Sequence, residues 1–117
     1  MKKQTKNSLT VKLDRECSRI VRARGGCQWC GEPDYSKLQC AHIFSRTFRN
    51  TRWDLHNLIC LCARCHFEAH QKPILFTEFV RNVLGEYFYA SLKSNHNAIK
   101  RWTVTEMEEL WQTLKQL

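Results

Sequence analysis

Two Cys-x-x-Cys pairs, Cys27/Cys30 and Cys62/Cys65, constrain this chain more than any other feature of its 117 residues. Two thiols on one tight turn can reach a single tetrahedral ion, and two such turns supply four sulfur ligands. Gly31, directly after Cys30, suits such a knuckle because glycine lets the backbone turn its amides toward the sulfurs. The expectation is a closed structural zinc (Zn²⁺) site of Cys27, Cys30, Cys62 and Cys65, with no position left for water. A chain this short gains from such a staple, because one small core supplies little stability by itself. It is read as a single domain over residues 1–117.

Seven cysteines would also suit a secreted disulfide scaffold. The opening MKKQTKNSLT argues against export, since no apolar run follows its basic start. An odd count arranged in C-x-x-C pairs points instead to reduced thiolates on a metal. No stretch reaches the ~18 consecutive apolar residues of a membrane helix. The expected setting is therefore the cytoplasm, with no membrane contact. Cys40 and Cys60 compete for ligation, but their apolar flanks suit small buried residues better, as does the helical setting of Cys17. The 19 Lys and Arg outnumber the 11 Asp and Glu, for a net charge of +8. Charge of that sign favours a polyanion such as DNA.

The expected architecture is α+β. Residues 1–8 are polar and expected to fray. Leu13, Cys17, Ile20 and Val21 then recur at helical spacing up to Gly25-Gly26, predicting a basic helix within residues 10–25. The zinc core is placed at residues 26–72, with a strand over Leu38–Phe44, an antiparallel partner over Asn57–Leu61 and a helix over Arg64–Gln71. A helical extension fills residues 73–117 as two packing helices. One covers Ile74–Leu92, weakened at Gly85, and the other begins at a capping box of Thr105 and Glu108. These helices either cover the core or form a homodimer surface, two roles that the sequence does not separate.

Between the strands lies a long connection carrying Arg46, Arg49 and Arg52 with Phe48 and Trp53. Long loops of this kind tend to carry function. The three arginines are candidate DNA phosphate contacts, which give affinity with little sequence information. Packing of the loop is the preferred role for the two aromatics.

A second constellation is His42, Asn57, His66 and His70. Phosphodiester hydrolysis needs a base for the attacking water and a cation near the phosphate. A neutral histidine can take that proton near pH 7. His42, at a strand end, is the candidate base, and Asn57 is expected to fix both the loop and the His42 tautomer. His66 and His70, four residues apart, share one helix face and are candidate ligands for a catalytic divalent ion.

The run AHIFSR, followed by HNLICLCARCH, resembles the HNH endonucleases. The resemblance covers about residues 26–72 and implies a zinc-stapled ββα-metal core. It places His42 as general base, Asn57 as loop support and His66 as metal ligand, in a metal-dependent enzyme that nicks DNA with low sequence specificity. The His66-x-x-x-His70 pair is similar to that of the colicin-type nucleases. Many family members carry Asp or His immediately before the base, as a metal ligand. Here that position is Ala41, so the ion, Mg²⁺ or Mn²⁺, is expected to rest on His66, His70, water and substrate phosphate. Glu32, Asp54 and Glu68 are the carboxylates weighed as replacements, with Glu68 pointing off the histidine face. A small residue before the base also resembles phage recombination nucleases of the NinG type, which implies a host-cytoplasm setting. Two other readings compete: a degenerate, non-catalytic zinc module that binds DNA, and a C-x-x-C redox module. The redox reading is disfavoured because two pairs sharing a metal are passivated.

Overall fold

The computed structural model describes residues 4–117. Helix α1 (Lys6–Arg22) starts where the Thr5 hydroxyl accepts the Ser8 amide at 3.1 Å. This cap begins the helix before residue 10, and so residues 4–8 are ordered by it rather than frayed; residues 1–3 lie outside the described residues. Leu9, Leu13, Cys17 and Val21 form its buried face. Their four-residue spacing places them on one stripe.

Strands β1 (Leu38–His42) and β2 (Leu58–Cys62) pair antiparallel, in a register running from Leu38 opposite Cys62 to His42 opposite Leu58. The first ends at His42, two residues short of the expected Phe44, and the second is shifted by one residue from the expected Asn57–Leu61. Asn57 belongs to a short 3-10 turn, Leu55–Asn57, opened by the Asp54 carboxylate accepting the His56 amide at 2.9 Å. The second strand therefore starts one residue later. All five β2 residues are buried, because α1 and α2 (Ala63–Gln71) both pack on the hairpin. An unbroken apolar strand is what burial on both faces requires.

Gly85, at φ +81°, divides the expected Ile74–Leu92 helix into α3 (Pro73–Leu84) and α4 (Glu86–Asn95). That backbone conformation is open to glycine and strained for other residues, so the helix turns there instead of weakening. The C-terminal extension thus holds three helices, ending in α5 (Val104–Lys115). Its capping box is Thr103 with Glu106, not Thr105 with Glu108. Thr103 Oγ1 accepts the Glu106 amide at 3.1 Å, and Glu106 Oε1 accepts the Thr103 amide at 3.0 Å. Thr103 is extended, as a cap must be, whereas Thr105 already lies inside the first turn.

Helix α5 packs along α1, burying Met107 and Leu114. Arg19 donates to the Leu114 carbonyl at 3.0 Å, and Lys12 sits 4.6 Å from the Trp111 ring centre. Basic residues of α1 are thus used to hold α5. Arg22 likewise lies over the Tyr35 ring, 4.3 Å from its centre. No helix among the described residues is long and apolar enough to cross a membrane.

Candidate metal centre and histidine cleft

The four cysteines of the C-x-x-C pairs converge, with their sulfurs all within 4.8 Å of one another. Gly31, at φ +85°, closes the first knuckle by donating its amide to the Cys27 carbonyl at 2.9 Å. The Cys30 amide points at Cys27 Sγ (3.5 Å), and in the second knuckle the Cys65 amide points at Cys62 Sγ (3.4 Å). Cys30 Sγ and Cys62 Sγ are 3.7 Å apart. A tetrahedron with zinc–sulfur bonds of ~2.3 Å has edges of about 3.8 Å, so the donor set fits zinc in element and in size.

Charge agrees with that fit. Burial opposes ionisation of Cys27, but the amides of Cys30, Cys62 and Trp29 outweigh it and hold this thiol at about 7. Burial and the neighbouring sulfurs push Cys65 up. Four thiolates together therefore call for a cation. Cys17 and Cys40 differ: burial pushes them up to about 12 and about 11, so they stay neutral thiols in the packing. Gln28 anchors the first knuckle to β2, its amide donating to the Cys60 carbonyl (2.8 Å) while its Oε1 accepts the Cys60 amide (2.9 Å).

The histidines gather at a second place. His42, His66 and His70 line one cleft of about 230 Å³ with Ala41, Ala69, Pro73 and Phe76. The rings of His66 and His70 stack with centres 5.3 Å apart, as the i,i+4 spacing on α2 requires. His42 Nε2 lies 3.0 Å from the Arg52 carbonyl oxygen. A carbonyl only accepts, so Nε2 carries the proton and Nδ1 keeps its lone pair. Burial holds His42 below the ordinary histidine range, against the opposing pull of the Arg52 carbonyl and the Asp14 charge. His66 is also lowered, by burial and then by the charge of His70. His66 Nδ1 sits 2.7 Å from Gln39 Oε1.

Asn57 is fully buried. Its Oδ1 accepts the Phe44 amide at 2.8 Å, while Nδ2 donates to the carbonyls of Phe44 and Thr51, both at 3.0 Å. It clamps the start of the long loop to its end. The expected link to the His42 ring is not made; the Arg52 carbonyl fixes that tautomer. Arg52 is also not placed to meet phosphate. Its guanidinium makes two hydrogen bonds to Asp14, at 2.7 and 3.1 Å, and its side chain is only 11 % exposed. Trp53 Nε1 donates to the same carboxylate at 2.8 Å. Arg46 and Arg49 remain exposed on the loop. Trp53 is buried against Trp102, and Phe48 meets the His96 ring edge-on.

None of three comparisons, with protein-family models, with curated proteins and with solved structures, matches this chain.

Three residues of the site were not singled out from the sequence: Asp14, Gln28 and Gln39. Asp14 and Glu16 are the two acids on the otherwise basic α1, and only Glu16 has a basic partner at helical spacing, Arg19, which leaves Asp14 as the one without a local partner, a usable signal in hindsight. Gln28 and Gln39 give none, because a glutamine in a knuckle or on a strand has no required partner. Ala41 is 2 % exposed and faces the cleft without a donor. The carboxylates weighed as its replacement are paired elsewhere: Glu68 with Lys72 (3.0 Å), Asp54 with His56 (3.5 Å) and Glu32 with Lys37 (3.5 Å).

Proposed function

We propose that this chain is a metal-dependent endonuclease of the HNH kind that nicks DNA with low sequence specificity. One observation carries the reading: His42, His66 and His70 line a single cleft, and His42 is held there in the tautomer that a base needs. The resemblance of AHIFSR and HNLICLCARCH to the HNH endonucleases and the net charge of +8 support it.

In this reading His66 and His70 hold a divalent ion, Mg²⁺ or Mn²⁺, which when bound neutralises charge developing on the phosphate. His42 Nδ1 accepts a proton from water as the water oxygen bonds to phosphorus and the leaving oxygen departs. Burial keeps His42 unprotonated near neutral pH, so the acceptor is available. Asn57 keeps the loop closed, and the Arg52 carbonyl keeps the ring from turning. Arg46 and Arg49 contact phosphates on either side of the cut. Arg52 serves them indirectly, by tying the loop to α1 through Asp14.

One cleft cuts one strand, so a double-strand break takes a second copy or a second visit. The exposed apolar residues Leu75 and Val83 of α3 and Tyr87 and Phe88 of α4 are the surface assigned to a homodimer. A concentration-dependent mass measurement checks that assignment.

The deciding experiment is nicking of supercoiled plasmid by zinc-loaded protein with Mg²⁺, Mn²⁺ or no added ion, beside His42→Ala of verified fold. Relaxed circles from wild type with added ion, and none from the variant, support the reading. Retained DNA binding without nicking under any ion would favour a non-catalytic zinc-containing module, a reading that the donor-free Ala41 position motivates.

A further inference from the structure

We infer that Gln39 is the positioning residue of the histidine cleft, fixing His66 in the Nδ1–H tautomer so that Nε2 is turned to an incoming divalent cation. The inference rests on the nuclease reading of that cleft. Gln39 and Ala41 are two residues apart on β1 and therefore share a face of the hairpin. Ala41 ends in a methyl group, whereas Gln39 reaches His66 with its Oε1 2.7 Å from Nδ1.

The side from which Gln39 approaches determines its role. His66 lines the histidine cleft and Gln39 does not; Gln39 lines two neighbouring depressions, one with Cys30, Cys62 and Arg64 and the other with Cys40, His42 and Arg46. The hydrogen bond therefore meets His66 from outside the cleft. An amide oxygen accepts, so Nδ1 donates, and the lone pair left on Nε2 is the ligand. Metal-binding histidines are commonly oriented this way, with the remote N–H held by an oxygen that sets tautomer and ring plane. His42 is held by the same logic with the nitrogens exchanged: its Nε2–H meets the Arg52 carbonyl and Nδ1 stays open. Each of the two histidines thus has one nitrogen committed to an oxygen, and the uncommitted ones are those given to chemistry.

The measurement is the ¹⁵N signature of His66 in zinc-loaded protein without added divalent ion, above the ordinary histidine titration range. Mn²⁺ affinity is then read from paramagnetic broadening of the cleft signals. Wild type should show the Nδ1–H form. Gln39→Ala should shift His66 toward the Nε2–H form preferred by free imidazole and weaken Mn²⁺ binding by roughly 10- to 100-fold. Gln39→Glu retains the acceptor and should restore both. Zinc content and the amide spectrum confirm that each variant is folded.

An Nε2–H form in wild type overturns the assignment, as does Mn²⁺ affinity unchanged in Gln39→Ala. Lost affinity with an unchanged tautomer makes Gln39 a direct ligand and overturns the positioning role. A wild type that binds no Mn²⁺ while His66 holds the Nδ1–H form separates the two levels: the hydrogen bond stands, and the nuclease reading and the purpose given to Gln39 both fail.

Discussion

The cysteine cluster and the histidine cleft are built in opposite ways. Each half of the cluster is made by one tight turn whose own amides face its sulfurs, and the two turns bring four donors within 4.8 Å of one another. The cleft draws on the end of β1, the middle of α2 and the start of α3, and its bases are oriented by oxygens 10 and 27 residues away in sequence. The contrast teaches that a site meant to hold the fold is best made locally. The cleft proposed to meet substrate is instead set by distant parts of the fold.

The comparison breaks most completely at the cluster. Removing zinc with a strong chelator, or substituting Cys62→Ser, should abolish cooperative folding. Zinc binding of this kind supplies on the order of 10 kcal/mol, more than a small domain's net stability. Loss of the helical circular dichroism signal together with zinc stoichiometry checks it. A weak chelator that strips only the cleft should leave that signal intact while ending any nicking.

His42→Ala should lower nicking by roughly 10²- to 10⁴-fold, with little change in melting temperature. Plasmid relaxation rates and a thermal melt, read together, test this. A matching fall in stability would show the histidine to be mainly packing.

Asp14→Ala sits between the two classes. It removes two bonds to Arg52 and one to Trp53, at a cost of about 2 kcal/mol, reduced because the Asp14 carboxylate is 37 % exposed. Urea titration measures the loss, and nicking should fall as well, since the Arg52 carbonyl that orients His42 is loosened. Burial raises the Asp14 pKa, but the bonds from Arg52 and Trp53 outweigh it and leave it lowered. A lowered carboxyl favours the fold above the unfolded value of ~3.9. That stability is lost as pH falls through the folded value.

The pH profile sharpens the same contrast. His42 lies below the ordinary histidine value of ~6.5. The nicking rate should therefore rise with pH with its midpoint below that value. In stability terms the neutral ring favours the fold above ~6.5, and this contribution is lost as pH drops through the lower folded value. A profile still climbing well above pH 7 would assign the base elsewhere.

Smallest is Thr103→Ala, remote from both sites, which should cost ~1 kcal/mol of stability in a thermal melt and leave nicking unchanged. Thr105→Ala should cost much less.

What the sequence revealed follows the same local-versus-distant division. The knuckles, the strand pair and the Ala63–Gln71 helix were legible because spacing within a few residues determines them. The stripe through Leu13, Cys17 and Val21 was equally plain. Thr103 and Thr105 both precede an acid by three residues, so pattern alone did not choose between them; the extended backbone at Thr103 did. Arg52 looked like a phosphate contact because Asp14, its partner, is 38 positions away. Asn57 was expected to hold both the loop and the His42 ring; its three bonds all go to the backbone of Phe44 and Thr51, and these partners depend on how the loop closes. Gly85 was read as a weak point in one helix, where its positive φ makes a corner between two.

The bonds between Gln28 and Cys60 carry one more consequence. Leu58 and Cys60 turn backbone groups away from β1, and each of these is occupied: the Leu58 amide by the Leu55 carbonyl, the Leu58 carbonyl by Arg24 at 2.8 Å, and both Cys60 groups by Gln28. A strand with unpaired outward groups is a template on which other chains can add and aggregate. Here a single glutamine and a single arginine stand in for a third strand, leaving that flank of the hairpin with nothing to offer a stranger. The residues that tie the zinc knuckle to the sheet thereby also keep neighbouring copies from extending it.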